Sequence, residues 1–260
     1  MPPHGRVLII AGSDSGGGAG IQGDIKTVSA LGGYAMTAIT ALTAQSTLGV
    51  FGIHPIPEVF ITQQIELCLS DIGADAIKTG MLHSASVIET VVNALPTPAI
   101  PLVVDPVMVA KGGAPLLESA ALDALKTLLI PAASIITPNL PEAELLLGRI
   151  IRSDEADMKR AAEELLKLGC AAVLLKGGHG TGDVLTDVLI SNDGAPLTIS
   201  TPRIATTNTH GTGCTFASAI ATGLAQKQSL NDSVHRAHAY VQAAIRNAPQ
   251  FGKGNGPLGH

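Results

Sequence analysis

Aromatic and charged side chains are scarce in this chain of 260 residues. Aromatic residues make up 2% of the sequence, with no tryptophan, and charged residues make up 14%. Proteins that bind nucleic acids usually carry a cationic stripe, and many stack bases on aromatic rings. This chain has a net charge of −5 and no basic run, so nucleic acid is not an expected partner.

Cysteine is also rare, and long apolar runs are absent. The three cysteines, Cys68, Cys170 and Cys214, are widely spaced and form no C-x-x-C pair, which argues against a disulfide framework or a zinc site. The apolar run near the N-terminus is too short for a signal peptide. Residues 27–57 carry no Asp, Glu, Lys or Arg, but their Gly, Thr, Gln, Ser and Pro content disfavours a membrane span. We therefore expect a cytoplasmic protein that is not embedded in a membrane.

Short β-branched runs alternate with longer helical patterns along the whole chain. This order predicts an α/β protein with a mostly parallel central sheet and helices on both faces, in one domain over residues 1–260. The predicted strands are Val7–Ile10, Ala35–Thr40, Ala76–Lys78, Leu102–Val104, Ile135–Thr137, Ala172–Leu175 and a hairpin of Asp183–Ile190 with Leu197–Ser200. The main predicted helices are Ile21–Leu31, Pro57–Ser70, Ser84–Leu95, Leu116–Leu129, Asp154–Leu168 and Leu230–Ile245.

A glycine turn followed by a helical pattern lies within residues 206–224. Gly211 and Gly213 permit a tight turn, and large apolar side chains recur at helical spacing after it. The amides at the beginning of such a helix carry partial positive charge and suit an anion. The same dipole favours the thiolate form of Cys214, which lies in the predicted first turn. The alternative is that Cys214 is a small residue buried in a packed helix.

Polar side chains follow three of the predicted strands. Asp105, Asn139 and Lys176 each come directly or almost directly after a strand, and Glu142 lies one helical turn beyond Asn139. Ligands bind beyond the carboxyl ends of strands in open α/β sheets, so these residues should face one crevice with Gly211. Carboxylate oxygens suit Mg²⁺, and a lysine suits phosphate. Alternatively, Asp105 caps a turn, Asn139 and Glu142 cap a helix, and Lys176 is a solvated charge.

Neither common nucleotide-binding motif is complete in this chain. Residues 18–23 match the glycine spacing of the dinucleotide fingerprint, but no acid follows about 20 residues later to bind the ribose. The G-K-[ST] sequence of the P-loop is absent. A nucleoside triphosphate would therefore bind without either motif.

Taken together, these motifs resemble those of the hydroxymethylpyrimidine/phosphomethylpyrimidine kinases of thiamine biosynthesis, in the ribokinase-like superfamily. The resemblance covers nearly the whole chain, and it depends on several motifs in the right order. They are A-G-S-D-S-G-G-G-A-G-I-Q-G-D at 11–24, A-L-T-A-Q at 41–45, K-T-G-M at 78–81, V-D-P-V-M at 104–108, T-P-N-L-P-E-A-E at 137–144, L-K-G-G-H at 175–179 and N-T-H-G-T-G-C-T at 208–215.

The resemblance implies a three-layer α/β/α ribokinase-like fold, a small-molecule pyrimidine substrate, ATP as co-substrate and Mg²⁺. It also implies two successive phosphoryl transfers, first to the pyrimidine alcohol and then to its monophosphate. Cys214 would be the catalytic base, which accepts the substrate hydroxyl proton, and Gly211 and Gly213 would belong to the anion hole. By the same resemblance Gln45, Gly12, Asp24, Met81 and Val107 would bind the pyrimidine, Lys176, Asn139 and Thr212 the nucleotide, and Asp105 and Glu142 the metal.

Three other functions stay open on the sequence. A pyridoxal kinase of the same superfamily is the nearest, although most related sugar and pyridoxal kinases have Asp where this chain has Cys214. A thiol-dependent hydrolase would pair Cys214 with His210, but no third orienting group is evident. A non-catalytic sensing domain would not need Asp105, Lys176 and Cys214 together. The sequence does not give an oligomeric state, and a homodimer stays open.

Overall fold

The computed structural model describes residues 5–97, 99–109, 113, 116–118, 120–178 and 182–260. In this part of the chain nine strands form one sheet in the order β3-β2-β1-β4-β5-β6-β7-β8-β9. The five neighbouring pairs from β2 to β7 are parallel, and β3, β8 and β9 are antiparallel to their neighbours. The strands are Arg6–Asp14 (β1), Tyr34–Ser46 (β2), Gly49–Pro55 (β3), Ala76–Thr79 (β4), Leu102–Val104 (β5), Ile135–Ile136 (β6), Ala172–Leu175 (β7), Val184–Ser191 (β8) and Gly194–Pro202 (β9).

Helices cover both faces of the sheet, which confirms the three-layer α/β/α architecture. The first, seventh and eighth helices pack on one face, and the second to sixth pack on the other. The helices are Gly20–Ala30 (α1), Glu58–Leu67 (α2), Ala85–Asn93 (α3), Ala121–Ala124 (α4), Leu140–Leu147 (α5), Glu155–Leu166 (α6), Thr212–Ala225 (α7) and Leu230–Arg246 (α8). Within the described ranges, no helix combines the length and the apolar character that crossing a bilayer requires.

Strand β1 shows why a continuous apolar run becomes a central strand. Leu8 and Ile10 point into the core beneath α2 to α6, whereas Val7 and Ile9 point into the core beneath α1, α7 and α8. All four side chains are inaccessible to solvent. Because successive side chains of a strand face opposite sides, a strand between two helical layers must be apolar at every position.

The hairpin of β2 and β3 was not predicted in full. The sequence predicts a strand only over Ala35–Thr40, but β2 continues to Ser46 and turns back through β3, which forms an edge of the sheet. Buried residues alternate with exposed or half-buried ones along much of β2, and every residue of β3 is exposed or half-buried. Thr recurs in β2 and Gly in β3. Such a segment lacks the strong apolar pattern by which the central strands are recognised.

The predicted helix over Leu116–Leu129 is shorter in the structure. Its α-helical part is α4, followed by a π-helical turn over Leu125–Leu129; Ser119 lies outside the described residues. The amides of Leu116 and Leu117 both donate to the carbonyl of Met108. This bonding ties residues 116–117 to another segment, and the first α-helical residue is Ala121. Helix α2 likewise ends in a π-helical turn, over Cys68–Ile72.

Candidate active site

A cavity of about 830 Å³ lies at the carboxyl ends of the parallel strands. It opens beside β1, where the sheet order reverses, because β2 lies on one side of β1 and β4 on the other. Crevices at such points are the usual ligand sites of open α/β sheets. The structure brings nearly all the predicted site residues to this cavity: Gly12, Gln45, Met81, Asp105, Val107, Asn139, Glu142, Lys176, Gly211, Thr212, Gly213 and Cys214. His179 of the L-K-G-G-H motif lies outside the described residues.

Asp24 is the exception, and its predicted contact with a substrate is wrong. Its side chain is inaccessible to solvent and does not line the cavity. Both carboxylate oxygens accept hydrogen bonds from Lys78 Nζ, at 2.9 and 2.8 Å, and Ser218 Oγ donates to one of them at 2.6 Å. A carboxylate that is saturated by protein donors beneath the cavity floor stabilises the floor and does not bind a ligand.

The first turn of α7 meets the loop before α1. Gly211 begins this helix in the left-handed conformation, with φ of 85°, and no side chain caps the helix. A methyl group at Gly211 would overlap the carbonyl oxygen of Gly18. Glycine is therefore required twice at this position, for the backbone angle and for the close approach.

Cys214 lies in that first turn, half-buried in the cavity wall. Burial raises the pKa of its thiol to about 12, while the nearby ammonium of Lys78 and the amide of Gly20, which donates to the sulfur, act in the opposite direction. The expectation of a lowered thiol pKa is therefore wrong. Removing the sulfur from water disfavours its charged form, and this effect of burial is the largest of those that act on the thiol.

Two carboxylates and a lysine meet on the opposite side of the first turn. Lys176 Nζ lies 3.4 Å from Asp105 Oδ1, and a Cβ placed on Gly213 would lie 3.4 Å from Lys176 Nζ and 3.6 Å from Asp105 Oδ2. Burial disfavours the charge of Lys176, but Asp105 and Glu142 still raise its pKa. Burial also raises the pKa of Glu142 to about 7, with repulsion from Asp105 in the same direction and attraction from Lys176 against it.

Asn139 and Glu142 do form a helix cap. Asn139 Oδ1 accepts a hydrogen bond from the Glu142 amide at 3.0 Å, and Glu142 Oε2 accepts one from the Asn139 amide at 2.9 Å. This capping box fixes the two side chains at the cavity wall, so the structural alternative and a binding role are compatible.

The donor set also fits Mg²⁺. Among the described residues no cluster of three or more His, Cys, Asp and Glu side chains is suited to a metal. Mg²⁺ in nucleotide-dependent enzymes, however, usually takes one or two carboxylates together with phosphate oxygens and water. Asp105 and Glu142 both line the cavity and would supply such a pair of oxygen ligands.

A polar network around His210 was missed by the sequence analysis. His210 Nε2 lies 2.8 Å from Asp14 Oδ2 and 3.3 Å from Gln45 Nε2, and Thr43 Oγ1 lies 3.0 Å from Gln45 Oε1. Asp14 also accepts hydrogen bonds from amides of the glycine loop at Gly16, Gly18 and Ala19. Thr43 thereby holds the Gln45 carboxamide oxygen at the cavity wall. Because His210 Nε2 donates its proton to the Asp14 carboxylate, it cannot also accept from Gln45, so the carboxamide retains both amide donors and one further acceptor.

This network also bears on the hydrolase alternative. The His210 ring nitrogen contacts Asp14 and Gln45, and the described residues show no hydrogen bond between His210 and Cys214. The expected nucleophile and base are therefore not paired. The one sequence signal for the network was Asp14 beside a run of glycines, where a carboxylate commonly accepts loop amides.

Several apolar side chains that line the cavity were not predicted. They are Leu185, Ile204, Ala205 and Ile245. Flat, weakly polar ligand groups bind to apolar surfaces of this kind by burial. These residues lie on strands, loops and helices far apart in sequence, and no local pattern connects them.

Comparison with known proteins gives a consistent result. The family model described as phosphomethylpyrimidine kinase matches residues 14–259. The thiamine biosynthesis bifunctional protein of Geobacter sulfurreducens is 52% identical over 99% of this chain, which spans 52% of that relative. The hydroxymethylpyrimidine/phosphomethylpyrimidine kinase of Bacillus subtilis is 48% identical over 98% of this chain and 94% of its own length.

Two solved structures are also similar. The ADP complex of Bacillus subtilis pyridoxal kinase has a TM-score of 0.91 and 34% identity, with 99% of this chain and 97% of that chain covered. The phosphomethylpyrimidine kinase of Clostridium difficile has a TM-score of 0.81 and 43% identity, with 92% and 99% covered.

Replacement of Gly211 tests the contact between α7 and the glycine loop. Gly211→Ala should lower the free energy of unfolding by about 1–3 kcal/mol more than Gly148→Ala, because both glycines have positive φ but only Gly211 lies against another backbone group. Urea denaturation of both variants gives the comparison. Equal losses would show that the close approach to Gly18 does not constrain the fold.

Proposed function

The chain belongs to the phosphomethylpyrimidine kinase family, and we propose that it phosphorylates 4-amino-5-hydroxymethyl-2-methylpyrimidine and then the resulting monophosphate. ATP is the phosphoryl donor, and the diphosphate product serves thiamine biosynthesis. The Bacillus subtilis relative is named as a kinase of both the alcohol and its monophosphate, which supports the two phosphorylation steps. The name of the Geobacter relative supports a role in thiamine biosynthesis. We further propose that residues 1–260 form one domain, supported by the single sheet, and that the protein is cytoplasmic, supported by its three free cysteines.

One observation carries the proposal: a helix N-terminus, a lysine and a carboxylate converge at Gly213. Phosphoryl transfer requires positioning and charge neutralisation more than covalent chemistry by the protein. The backbone amides of the first turn of α7 and the ammonium of Lys176 supply positive potential beside Gly213. Cys214, the next residue along the helix, lies where a substrate hydroxyl would approach that point.

The first reaction then follows from these positions. The substrate hydroxyl oxygen attacks the γ-phosphorus of ATP, the bond from that phosphorus to the β–γ bridging oxygen breaks, and ADP leaves. Cys214 acts in its thiolate form: Sγ accepts the hydroxyl proton and becomes a thiol. The amides at Gly211 and Gly213 hold the charge of the phosphoryl oxygens. Lys176, Asn139 and Thr212 bind the nucleotide phosphates. Mg²⁺, held by Asp105 and Glu142, would neutralise phosphate charge.

The pyrimidine occupies the side of the cavity formed by Gln45, Gly12, Met81 and Val107. An aminopyrimidine edge has an amino donor beside a ring-nitrogen acceptor, and the Gln45 carboxamide can pair with both. The apolar lining residues Leu185, Ile204, Ala205 and Ile245 then suit the adenine ring. Pyridoxal kinase activity is the alternative, but the pyridoxal kinase structure is 34% identical, below the 48% and 43% of the two pyrimidine kinases.

Replacement of Cys214 should affect the two phosphorylation steps differently. Cys214→Ala should lower kcat for the alcohol by roughly 10²-fold, the usual effect of losing a general base. The monophosphate attacks through an oxygen that is already ionised at neutral pH, since its second pKa is about 6, so its kcat should fall much less. Each substrate is assayed separately by ADP release, and Cys214→Asp should retain more activity than Cys214→Ala.

Cys68→Ala is the matched control, because Cys68 is also half-buried but does not line the cavity. It should leave both steps unchanged. Near wild-type kcat of Cys214→Ala for the alcohol across pH 6 to 9, or equal losses in the two steps, would remove Cys214 as the base.

Replacement of Lys176 should weaken nucleotide binding selectively. Lys176→Ala should raise the KM for ATP by roughly tenfold to a hundredfold, because a hydrogen bond to a charged group contributes about 1.5–3 kcal/mol. Calorimetric titration should show pyrimidine affinity little changed. Lys159→Ala, on the outer surface of α6, is the control. Equal losses for both ligands would contradict the assignment of Lys176 to the phosphates.

Replacement of Gln45 should change the preference between rings. Gln45→Leu should reduce kcat/KM for the pyrimidine alcohol by roughly tenfold to a hundredfold, because an unpaired buried polar group costs about 1–3 kcal/mol. Any activity on pyridoxal, which lacks the amino edge, should fall less. Gln63→Leu, an exposed position on α2, controls for the loss of a carboxamide. An equal proportional loss of kcat/KM for the pyrimidine alcohol and for pyridoxal would mean that Gln45 stabilises the cavity wall but does not recognise the substrate ring.

A further inference from the structure

Lys78 is a charged residue in the interior of the protein. It lies in the central strand β4, it is the largest of the side chains that are fully buried, and its partner Asp24 is equally inaccessible. Removing an ion pair from water usually costs as much as the attraction returns, so an apolar pair of the same volume would serve stability equally well. Stability alone therefore does not account for a lysine in β4.

The buried pair lies one helical turn below the catalytic thiol. On α1, Gly20 and Asp24 are four residues apart, and on α7, Cys214 and Ser218 are four residues apart, so each pair lies on one face of its helix. Gly20 contacts Cys214, because its amide donates to the sulfur. One turn further along both helices, Ser218 donates a 2.6 Å hydrogen bond to Asp24.

Lys78, in strand β4 of the sheet, forms an ion pair with Asp24. Its Nζ lies 2.9 and 2.8 Å from the two oxygens of Asp24, and the residue borders the cavity that Cys214 lines. Burial disfavours its charge, but Asp24, and next to it Cys214 and Asp105, raise its pKa, so Lys78 remains an ammonium ion at any working pH.

Four charged side chains face Cys214 from the elements packed around it. Lys78 on β4 lowers the pKa of the thiol, whereas Asp24 on α1 and Asp105 after β5 raise it. Lys176, after β7, is attracted to the sulfur, but it also contacts Asp105 and faces the phosphate side of the cavity. Lys78 is thus the cation that most strongly lowers the pKa of the Cys214 thiol.

We propose that Lys78 is a positioning residue whose buried ammonium is the counter-charge of the Cys214 thiolate, the form that accepts the substrate hydroxyl proton. Asp24 and Ser218 hold the ammonium in place, which assigns to Asp24 an indirect part in the reaction. The catalytic consequence depends on the proposed function, in which Cys214 is the base of the first step. The electrostatic effect on the sulfur does not depend on it.

Alkylation of Cys214 by iodoacetamide measures the thiolate without any substrate. Trypsin places the three cysteines on different peptides, and Cys214 is the only cysteine between Arg203 and Lys227, so mass spectrometry resolves its rate. Lys78→Met should slow this alkylation at least tenfold at every pH from 7 to 9, which corresponds to a pKa at least about one unit higher. Alkylation of Cys68 in the same sample should not change, and Lys159→Met, which removes a paired surface lysine, should leave both rates unchanged.

A double variant distinguishes the effect of losing the Lys78 ammonium from the effect of leaving the Asp24 carboxylate without its partner. Lys78→Met/Asp24→Asn has no buried unpaired charge and keeps the Ser218 hydrogen bond. It should alkylate faster than Lys78→Met, because the Asp24 charge that opposes the thiolate is also gone, but more slowly than wild type, because the attraction of Lys78 is the larger of the two effects. It also decides the question if the single variant does not fold, which circular dichroism reports. A wild-type rate in both variants, or a rate restored to that of wild type in the double variant, would overturn the proposal.

The two kinase steps distinguish this proposal from the function on which it builds. With Lys78→Met, kcat for the alcohol should fall in proportion to the alkylation rate, while KM for ATP and turnover of the monophosphate stay near wild type. Slower alkylation with unchanged kcat for the alcohol would support Lys78 as the counter-charge of the thiolate but would contradict the assignment of Cys214 as the base. Equal losses of both steps and of ATP affinity would indicate a structural role for Lys78 and overturn the proposal.

Discussion

The contact between the first turn of α7 and the glycine loop after β1 is the constraint on which the site depends. Gly211 approaches the carbonyl of Gly18 so closely that no side chain fits between them. This approach brings the Gly20 amide to the sulfur of Cys214 and allows His210 to reach Asp14. Helix α7 is then oriented with its N-terminus toward the cavity, where its dipole can act on an anion.

Below that contact, the site is built from buried charges that are partnered within the protein. Lys78 pairs with Asp24 in the floor, and Asp105 lies beside Lys176 in the wall. Burial raises the pKa of Glu142 to about 7, although its carboxylate accepts a hydrogen bond from the Asn139 amide. A site of this kind is preorganised: its charges are fixed and desolvated before a ligand enters, which strengthens each electrostatic interaction within it.

Local sequence patterns were sufficient for the central parallel strands and for the polar residues that follow them, whereas Gly12, Gln45, Met81 and Val107 were assigned by resemblance. Asp105, Asn139 and Lys176 follow strands, and the carboxyl ends of parallel strands meet by topology, so their convergence followed from the order of elements. Properties that depend on tertiary burial were not predictable in this way. The pKa of Cys214 reflects desolvation by several elements. Asp24 was assigned to the substrate by resemblance, and its partners Lys78 and Ser218 lie 54 and 194 residues away, so no local pattern shows the buried pairing. The β2–β3 hairpin was missed because an edge hairpin with exposed positions has no continuous apolar run.

The most direct test of the account is a substrate panel with the purified chain, ATP and Mg²⁺. The alcohol and monophosphate of the aminopyrimidine are compared with pyridoxal, and kcat/KM is determined for each by ADP release. The account predicts turnover of both pyrimidines, with kcat/KM for the alcohol at least about tenfold above that for pyridoxal, because only the pyrimidine pairs fully with Gln45. A preference for pyridoxal, or no transfer from ATP to any of the three, would contradict it.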